Sequence, residues 1–479
     1  MIQHRPRAGR LAGEKVRPLD VAGFVVACGV GVALSAAIAA GGDILVARWS
    51  DLARLAVWSA AWIVAVACAL RLPARVSVPC VLLAALVLRL AALAGPQTLS
   101  DDLHRYSWDG RVQAAGINPY EYPPDAPELA GLREPWLWPD EAGCAEIQRP
   151  PGCTRINRPS VRTIYPPAGE AWFYAVYRIA GIDARYKAWQ VSGLVVDMAL
   201  VGVLLLALRA WGRDQRWFAF YALSPFPVVE VVDNGHVDGL VALLVVVALL
   251  VAARRRPAWA GAVLGVAVLV KLYPAVLVVG LVGLAGGVAG GTRAAGRGGG
   301  AGQRRWSALV EGGAAAAAVV VVGYLPHVLG VGVRVIGYLP GYLREENYGS
   351  GGRYLLAGML GLPAGATAVL AAAGLAAVVA WVLVKRPEVP VAFVTLLGAL
   401  LLATTPVQPW YAVALLALAV VAVRPEWALV AAAAYPYFFA VILDAPHTVA
   451  IGRVSYGLAL AAVLAAAARR RRPGVVAAA

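Results

Sequence analysis

The chain has 479 residues, of which 61% are hydrophobic and only 14% are charged, and its mean hydropathy is +0.71. A soluble domain of this length does not need so much apolar surface, so the composition excludes one. The apolar residues fall in continuous runs of about 20, which is the length of a membrane-spanning helix. Since these runs do not alternate with polar residues, they predict an all-α polytopic membrane protein rather than a β-barrel.

The net charge of +15 comes from basic residues in short clusters between the apolar runs. This is the positive-inside pattern of membrane proteins, in which basic loops stay in the cytoplasm. The clusters therefore indicate topology and contact with membrane lipid, and no nucleic-acid partner is expected. The first apolar run, residues 21–40, is longer than the apolar part of a signal peptide and is interpreted as an uncleaved first span.

The first three spans are predicted at residues 20–40, 53–70 and 78–95. Arg71 and Arg75 place the connection after the second span in the cytoplasm, so the third span delivers residues 96–182 to the outer side. Within that outer loop, residues 168–182 are short for a span and are interpreted as a helix lying at the membrane interface.

The later basic clusters continue this alternation of sides. The remaining spans are predicted at 187–209, 216–233, 239–253, a hairpin over 257–289, 307–328, 360–384, 389–405, 410–423, 427–443 and 450–468. A Gly- and Arg-rich stretch, residues 291–305, is a predicted flexible cytoplasmic linker, and residues 329–354 form a second polar outer loop. The chain is thus predicted to be a single membrane domain, residues 1–479, with about 14 transmembrane helices and both termini in the cytoplasm.

The first part of the outer loop, residues 96–167, holds ten acidic residues and seven arginines, a net charge of −3 that agrees with an outer location. Cys144 and Cys153 also lie in this loop and are predicted to form a disulfide if it faces an oxidising compartment. No nearby Cys or His completes a set of metal ligands, so neither a metal nor another cofactor is expected.

Asp101 and Asp102 follow the third span directly, where a charged pair is costly unless water or function keeps it there. Ser100 can cap a helix that begins at Asp101, and Arg105 can pair along one helical face with Asp102 or Asp109. Capping needs only one acid. The other is a candidate general base that takes a proton from a hydroxyl nucleophile.

Further polar residues on the predicted outer side are candidates for substrate binding. Lys271 lies within an apolar hairpin and can either stabilise a phosphate or snorkel to the interface. Asn234, His236 and Asp238 form a polar turn that can bind acceptor hydroxyls or simply end a span. Aromatic residues beside prolines can line a substrate surface or anchor the loop at the membrane edge. The remaining candidates are Arg353, Tyr120 and Tyr165.

The chain resembles the GT-C glycosyltransferases in the outward span that ends in an acidic pair and continues as a helix. It shares with them the sequence Gly-Ile-Asn-Pro-Tyr at 116–120, Tyr-Pro-Pro at 165–167 and a Pro-Trp-Tyr turn at 409–411. Within this group it is similar to bacterial family 87 and to other polyprenyl-phosphate-mannose-dependent mannosyltransferases, in motif terms over residues 78–290. Two extra spans before the acidic pair, and an insertion carrying the Cys pair, depart from the simplest pattern.

The resemblance implies a GT-C-like bundle in a bacterial-type cytoplasmic membrane, with the active site facing the periplasm. It implies a donor in which a sugar is attached to polyprenyl phosphate, with mannose as the first candidate for the sugar. It also implies inverting transfer to a hydroxyl of a glycan or glycolipid acceptor. In such enzymes an Asp of the first large outer loop is the base. Here Asp101 is the predicted base, while Asp102 orients the acceptor or pairs with Arg105. Lys271 is the first choice for the cation that stabilises the leaving phosphate, and the other choices are Arg353, Arg344 and Arg89.

Two other functions fit parts of the pattern. A lipid or solute transporter would place polar groups near the membrane midplane on broken helices, whereas the polar residues here gather at the outer ends. A ligase that moves a whole glycan from a lipid diphosphate would share the basic outer site, and the sequence separates it poorly from the first reading.

Single cysteines at positions 130 and 298, in a variant without the native cysteines, test the predicted topology. A membrane-impermeant thiol reagent added to intact cells is expected to label position 130, and to label position 298 only after permeabilisation. Labelling of both positions from the same side would contradict the alternation of basic clusters.

Overall fold

The computed structural model describes residues 16–42, 44–181, 185–285, 300–349 and 353–471, which form helices and no strand. The α-helices are α1 Pro18–Ala39, α2 Ile44–Arg71, α3 Ala74–Ala92, α4 Asp102–Ala114, α5 Glu141–Glu146, α6 Pro167–Ala180, α7 Tyr186–Ala210, α8 Ala219–Ala222, α9 Pro225–Pro227, α10 Asp238–Ala253, α11 Pro257–Val270, α12 Gly300–Val331, α13 Leu339–Glu345, α14 Ala364–Lys385, α15 Val389–Ala403, α16 Ala412–Ala422, α17 Ala428–Ile442 and α18 Thr448–Arg471. The all-α prediction is confirmed for these described residues.

Segments of 3₁₀-helix, of three to six residues except for the 13-residue Tyr273–Ala285, lie between the α-helices. They are Pro127–Leu132, Gln215–Phe218, Tyr273–Ala285, Gly332–Ile336, Ala357–Leu360, Pro409–Tyr411 and Pro425–Trp427. A stretch of π-helix spans Val228–Asp233. Residues 291–299 of the predicted linker lie outside the described residues, and α12 begins at Gly300.

Eight of the described helices are long and apolar enough to cross a membrane. These candidate spans are Pro18–Ala39, Trp49–Arg71, Ala74–Ala92, Tyr186–Ala210, Trp306–Glu345, Ala364–Lys385, Pro425–Ile442 and Thr448–Arg471. Five further apolar helices have only 10–17 residues. At about 1.5 Å per residue these are shorter than the hydrocarbon core of a bilayer. Among the described residues the structure thus has eight candidate spans, whereas the sequence pattern predicts about fourteen.

The predicted continuous span 216–233 is wrong in detail, because the chain there folds as several short pieces. Pro225 and Pro227 lack the backbone N–H that a continuing helix needs, and the Ser224 hydroxyl accepts a hydrogen bond from the N–H of Phe226 at 3.3 Å. Every residue from 221 to 239 is nevertheless buried. Irregular backbone at membrane depth is tolerated when protein surrounds it.

Close packing holds this irregular segment against α7. A Cβ atom at Gly193 would lie only 1.9 Å from the carbonyl oxygen of Val231, so no larger residue fits at this crossing. On its other sides the segment leads into α10, which packs against α7, α11, α15 and α16. All residues of α16 are buried. The centre of the bundle is therefore α10 and α16, and the irregular segment lies beside it.

A fully buried ion pair ties three elements together inside the bundle. Arg89 Nε of α3 donates to Asp197 Oδ2 of α7 at 2.5 Å, and the hydroxyl of Tyr221 in α8 donates to the other Asp197 oxygen at 2.6 Å. Arg89 Nη1 also donates to the carbonyl of Ala222 at 2.7 Å. Arg89, a candidate cation for chemistry in the sequence, is thus engaged in holding α3, α7 and α8 together.

The polar residues gather at two opposite ends of the bundle. At one end, Arg158 from the first predicted outer loop pairs with Glu345 from the second. The other end carries the basic clusters, with ion pairs between loops that the sequence assigns to the cytoplasm. These pairs are Arg71–Asp20, Arg213–Glu388 and Arg470–Glu426. The loops thus fall into the same two groups in space as in the sequence.

Replacing Arg89 by Met is expected to lower the thermal unfolding midpoint in detergent strongly, because it leaves the Asp197 carboxylate buried without its cation. Breaking such a pair costs about 3–5 kcal/mol, while replacing both partners with apolar residues is often nearly neutral. The double variant Arg89→Met/Asp197→Leu should therefore recover most of the loss. The control is Arg209→Met, which removes an exposed arginine. A double variant less stable than Arg89→Met would refute this account.

Candidate active site

The acidic pair lies at the start of α4, and two sets of hydrogen bonds hold the backbone around it in place. The Ser100 hydroxyl accepts from the N–H of Asp102, the first residue of α4, at 3.2 Å, while Asp101 occupies the N-cap position without a side-chain capping bond. The amide oxygen of Asn234 accepts from the N–H groups of Thr98 and Leu99 at 3.2 and 2.7 Å. The segment before the pair is therefore anchored to the end of the buried irregular segment.

Asp101 faces outward, with 40% of its side chain exposed. Its Oδ2 accepts from Arg149 Nη2 at 3.1 Å, and its Oδ1 lies 3.7 Å from His104 Nδ1. Burial, and then the nearby Arg155, lower the pKa of His104 to about 3. His104 is therefore neutral at physiological pH, and Arg149 is a cationic partner of Asp101.

Asp102 faces inward, with 19% of its side chain exposed. Asn157 Nδ2 donates to its Oδ1 at 2.8 Å. Its Oδ2 lies 3.5 Å from the hydroxyl of Tyr165 and 3.9 Å from Nε2 of His236. One oxygen of Asp102 is thus held by the loop while the other is directed toward the interior of the site.

Arg105 pairs with Asp109 rather than with Asp102, which corrects one of the alternatives predicted from sequence. Arg105 Nε lies 2.9 Å from both Asp109 oxygens. Burial, and then the neighbouring Asp109, raise the pKa of Glu170 well above its ordinary value, while Arg105 offsets part of the rise that burial causes in the pKa of Asp109. This buried network lies where α4 packs on α6. The carboxylate of Asp102 is not part of it and is turned toward Asn157.

Two predicted tyrosines are packed behind Asp102. Tyr120 donates its hydroxyl proton to the carbonyl of Tyr165 at 2.7 Å. The ring of Tyr165 packs edge-on against Tyr106 and Phe173, with centroids 5.3 and 5.1 Å apart. Burial raises the pKa of Tyr165 well above its ordinary value, so its hydroxyl keeps its proton. Tyr120 supports the loop, and Tyr165 presents a hydroxyl to the site.

His236 is buried with one ring nitrogen satisfied and one directed at Asp102. Its Nδ1 lies 2.9 Å from the carbonyl oxygen of Glu230, which can only accept, so Nδ1 is the donor, and it lies 3.2 Å from the Glu230 carboxylate. Nε2 has no hydrogen-bond partner within the described residues. The ring stacks on Trp410 with centroids 4.2 Å apart. Gly235 precedes it with φ +66°, a conformation that other residues rarely adopt.

Asn234 has its whole side-chain amide engaged within the protein. Besides the two bonds that its oxygen accepts, its Nδ2 donates to the carbonyl of Val229 at 2.9 Å. The next residue back, Asp233, accepts from the hydroxyl of Thr98 at 2.5 Å. The structure thus shows Asn234 clamping the backbone before the acidic pair, whereas the sequence predicts contact with substrate.

Lys271 lies at the break after α11, where the backbone is extended, and its ammonium reaches the same end of the bundle. Nζ lies 2.6 Å from Asp238 Oδ2. It also lies 4.7 Å from the ring centroid of Tyr411 and 5.8 Å from that of Tyr165. The hydroxyl of Tyr165 also lies 3.5 Å from Asp102 Oδ2, so this one side chain approaches both the cation and the carboxylate.

Near Lys271, the buried hydroxyl of Tyr273 faces the carboxylate of Asp238, which also binds the ammonium. Buried polar groups are costly unless they have such partners. Asp238 therefore joins the cation and the hydroxyl at this end of the bundle.

Arg353 lies at the edge of this region and is engaged within the protein. Its Nε donates to the carbonyl of Thr404 at 3.0 Å, and it forms an ion pair with Glu346. Its guanidinium carbon lies 4.6 Å from the ring centroid of Tyr348. The structure thus brings together Asp102, Tyr165, His236, Asp238 and Lys271, and places Arg105, Asn234 and Arg353 in supporting contacts.

Three residues of the site have no signal in the sequence that would single them out. Arg149 and Asn157 reach the carboxylates from an irregular loop with no periodic pattern, and Glu230 belongs to the predicted span that is broken. In the same loop, Cys144 and Cys153 form a disulfide with their Cα atoms 5.8 Å apart. Among the described ranges, no group of three or more His, Cys, Asp or Glu side chains could hold a metal ion.

A cavity of about 330 Å³ lies at the opposite, basic end of the bundle and includes none of the predicted site residues. It is lined by residues that include Trp211, Arg255, Arg386 and Glu388. The chemistry of the convergent polar groups, rather than the size of this cavity, therefore locates the candidate site.

Residues 164–406, about half of the chain, match the sequence profile described as glycosyltransferase family 87. Among curated proteins, none matches the chain. The matched range includes Tyr165, His236, Asp238 and Lys271, and the acidic pair precedes it.

Replacing Asn234 by Ala is expected to free the amides of Thr98 and Leu99, because their shared acceptor is removed. Each lost hydrogen bond is worth about 1 kcal/mol, so exchange of these amides should accelerate about fivefold. Hydrogen exchange measured on the peptide covering residues 96–101 provides the test. The control is Gln215→Ala at the opposite end of the bundle, which should leave this peptide unchanged. Unchanged exchange in Asn234→Ala would show that the clamp does not hold the segment.

Proposed function

The chain belongs to glycosyltransferase family 87 and is a membrane glycosyltransferase, and from that premise we propose a specific reaction for it. The enzyme transfers a sugar from a polyprenyl phosphate to a hydroxyl of a glycan or glycolipid acceptor. Mannose is the first candidate for that sugar. The configuration at C1 is inverted, and an Asp acts as the general base. The observation that carries this proposal is the convergence of Asp102, His236 and Lys271 at one end of the bundle.

Asp102, rather than the predicted Asp101, is the proposed base. Asp101 is held outward by Arg149, while one oxygen of Asp102 faces the buried His236 and Tyr165. A base must lie within hydrogen-bond reach of the proton that it removes. An acceptor hydroxyl placed between Asp102 Oδ2 and His236 Nε2, which are 3.9 Å apart, meets that requirement.

The reaction is a single displacement at C1 of the donor sugar. The acceptor oxygen gives its proton to Asp102 and forms the new bond to C1. The bond from C1 to the phosphate oxygen breaks, and its electron pair leaves with the phosphate. Attack from the face opposite the leaving group inverts C1, and the products are the glycosylated acceptor and polyprenyl phosphate.

The leaving phosphate gains negative charge as the bond breaks, and Lys271 is the proposed cation that stabilises it. Its ammonium, 2.6 Å from Asp238, is partly exposed and lies beside the rings of Tyr165 and Tyr411. Asp238 holds the ammonium in place, and the hydroxyl of Tyr273 faces the same carboxylate. Electrostatic interactions are stronger at a position largely enclosed by protein than in solution.

We propose that the site end of the bundle faces the periplasm of a bacterial-type cytoplasmic membrane, with both termini in the cytoplasm. The five short apolar helices and the broken segment Gln215–Asp233 would then complete fourteen crossings with the eight long helices. The basic clusters at the opposite end support this orientation. The large loop on the site side, with its disulfide, fits an oxidising compartment.

Asp102→Asn is expected to lower kcat for transfer about 10²–10⁴-fold, the usual contribution of a positioned general base. Asp101→Asn should lower it less than about tenfold, because that carboxylate pairs with Arg149. The assay uses purified protein, radiolabelled polyprenyl-phosphate mannose and an extract of acceptor lipids. Glu141→Gln, an exposed carboxylate in the same loop, is the matched control.

Wild-type transfer by Asp102→Asn would exclude Asp102 as the base. If the wild-type enzyme consumes no polyprenyl-phosphate mannose but consumes another polyprenyl-phosphate sugar, the sugar is wrong and the donor class stands. If it consumes only a lipid diphosphate, the donor class is wrong.

A further inference from the structure

The disulfide-bonded insertion, residues 134–162, folds back on itself above the candidate site. The Cys144–Cys153 bond closes its tip. Below the tip, the hydroxyl of Thr154 donates to the carbonyl of Leu137 at 2.7 Å, and the N–H of Arg155 donates to the same carbonyl at 2.8 Å. The two arms of the insertion are therefore joined at two levels, which restricts the positions of the side chains that they carry.

Two of those side chains contact the two carboxylates of the acidic pair, one each. Arg149 Nη2 donates to Asp101 at 3.1 Å and Asn157 Nδ2 donates to Asp102 at 2.8 Å. Arg149 also donates through Nη1 to the carbonyl of Thr154, on the opposite arm. The disulfide, Arg149 and Asn157 thus belong to one connected structure.

We propose that this insertion sets the orientation and charge of the acidic pair, with Asn157 as a positioning residue for Asp102 and the Cys144–Cys153 bond as the element that holds it. The proposal rests on the proposed function, since it takes Asp102 as the base. The bond from Asn157 occupies Oδ1, and so leaves Oδ2 to face Tyr165 and His236. Without that bond the carboxylate can rotate away from the acceptor hydroxyl.

Arg149 acts on the same base through charge. Two neighbouring carboxylates repel each other, and a cation beside one of them relieves that repulsion. By pairing with Asp101, Arg149 relieves the repulsion that Asp101 exerts on the neighbouring carboxylate. The insertion therefore supports the base in two ways, by a hydrogen bond from Asn157 and by neutralisation of Asp101.

Because the Cys144–Cys153 bond holds the insertion, this support should be lost when the bond is reduced. Reduction opens the loop between Cys144 and Cys153, which contains Arg149, and loosens the arm that carries Asn157. Lys271 lies on a different element, at the end of α11, and is not attached to the insertion. Reduction should therefore lower kcat while leaving the KM for the donor unchanged.

The pH dependence of this arrangement involves several other groups near Asp102. Hydrogen bonds to the ionised form of a carboxylate favour that form, so their removal lets it take up a proton more readily. The charged and titratable groups that face Asp102 are His104, Tyr106, Arg158, Tyr165, His236 and Tyr411. These stay in place when Asn157 is changed, so a shift in the pH profile reports on Asn157.

The test compares Asn157→Leu, which has a similar shape and no donor, with Asn157→Asp, which places a second carboxylate beside the base. Asn157→Leu is expected to lower kcat about tenfold at neutral pH, the order expected for a hydrogen bond to a charged group. The acidic side of the profile of kcat against pH should move to higher pH, and further in Asn157→Asp because of like-charge repulsion. The KM for polyprenyl-phosphate mannose should stay within about twofold of wild type.

The control is Glu146→Gln, an exposed carboxylate of the same insertion that should leave the profile unchanged. An equal fall of kcat at every pH in Asn157→Leu, with a lower unfolding temperature, would mean a structural role only and would overturn the proposal. This outcome is separate from failure of the proposed function, which would appear as wild-type transfer by Asp102→Asn.

The disulfide is tested in the same assay by Cys144→Ser/Cys153→Ser and by phosphine reduction of the folded wild-type enzyme. Both are expected to lower kcat with the donor KM unchanged, and the double variant should no longer respond to the reductant. Reduction of the folded enzyme keeps the test valid if the double variant fails to fold. Full kcat after reduction, with thiol counting to show that the bond is open, would overturn the role of the disulfide.

Discussion

The hydrogen bonds from Thr98 and Leu99 to the side chain of Asn234 are the constraint on which the site depends. They attach the residues before the acidic pair to the end of a buried segment, and so set the distance between Asp102 and His236. Asn234 also donates to Val229 in the same π-helical stretch that places the Glu230 carbonyl against His236. One polar clamp therefore positions the proposed base and its histidine neighbour together.

The membrane explains why this clamp lies within an irregular segment. Backbone groups that leave a helix in lipid lack partners, so irregular structure must be enclosed by protein. Here the segment is covered by α7, α10 and α16, and Gly193 lets α7 approach its backbone closely. The enclosed polar groups can then serve a site at the end of the bundle.

Local sequence patterns predicted the features that depend on local chemistry. Hydropathy predicted the long helices, and basic clusters predicted which loops meet at each end of the bundle. The breaks at Pro225 and Pro227 were visible in the sequence, but the strong apolar run around them favoured a continuous span. The contacts of Arg149 and Asn157 join an irregular loop to residues 48 and 55 positions earlier in the chain, and no periodic pattern encodes them.

The choice between Asp101 and Asp102 shows the same limit at the scale of one residue. Adjacent residues on a helix point about 100° apart, so both carboxylates cannot face the same interior. Which one does is decided by where α4 begins, which the hydrogen bonds to Ser100 and Asn234 hold in place. Asp101, just before the helix, binds Arg149. Both acids therefore contact the disulfide-bonded insertion, through Arg149 and Asn157, and Asp102 in addition faces His236 and Tyr165.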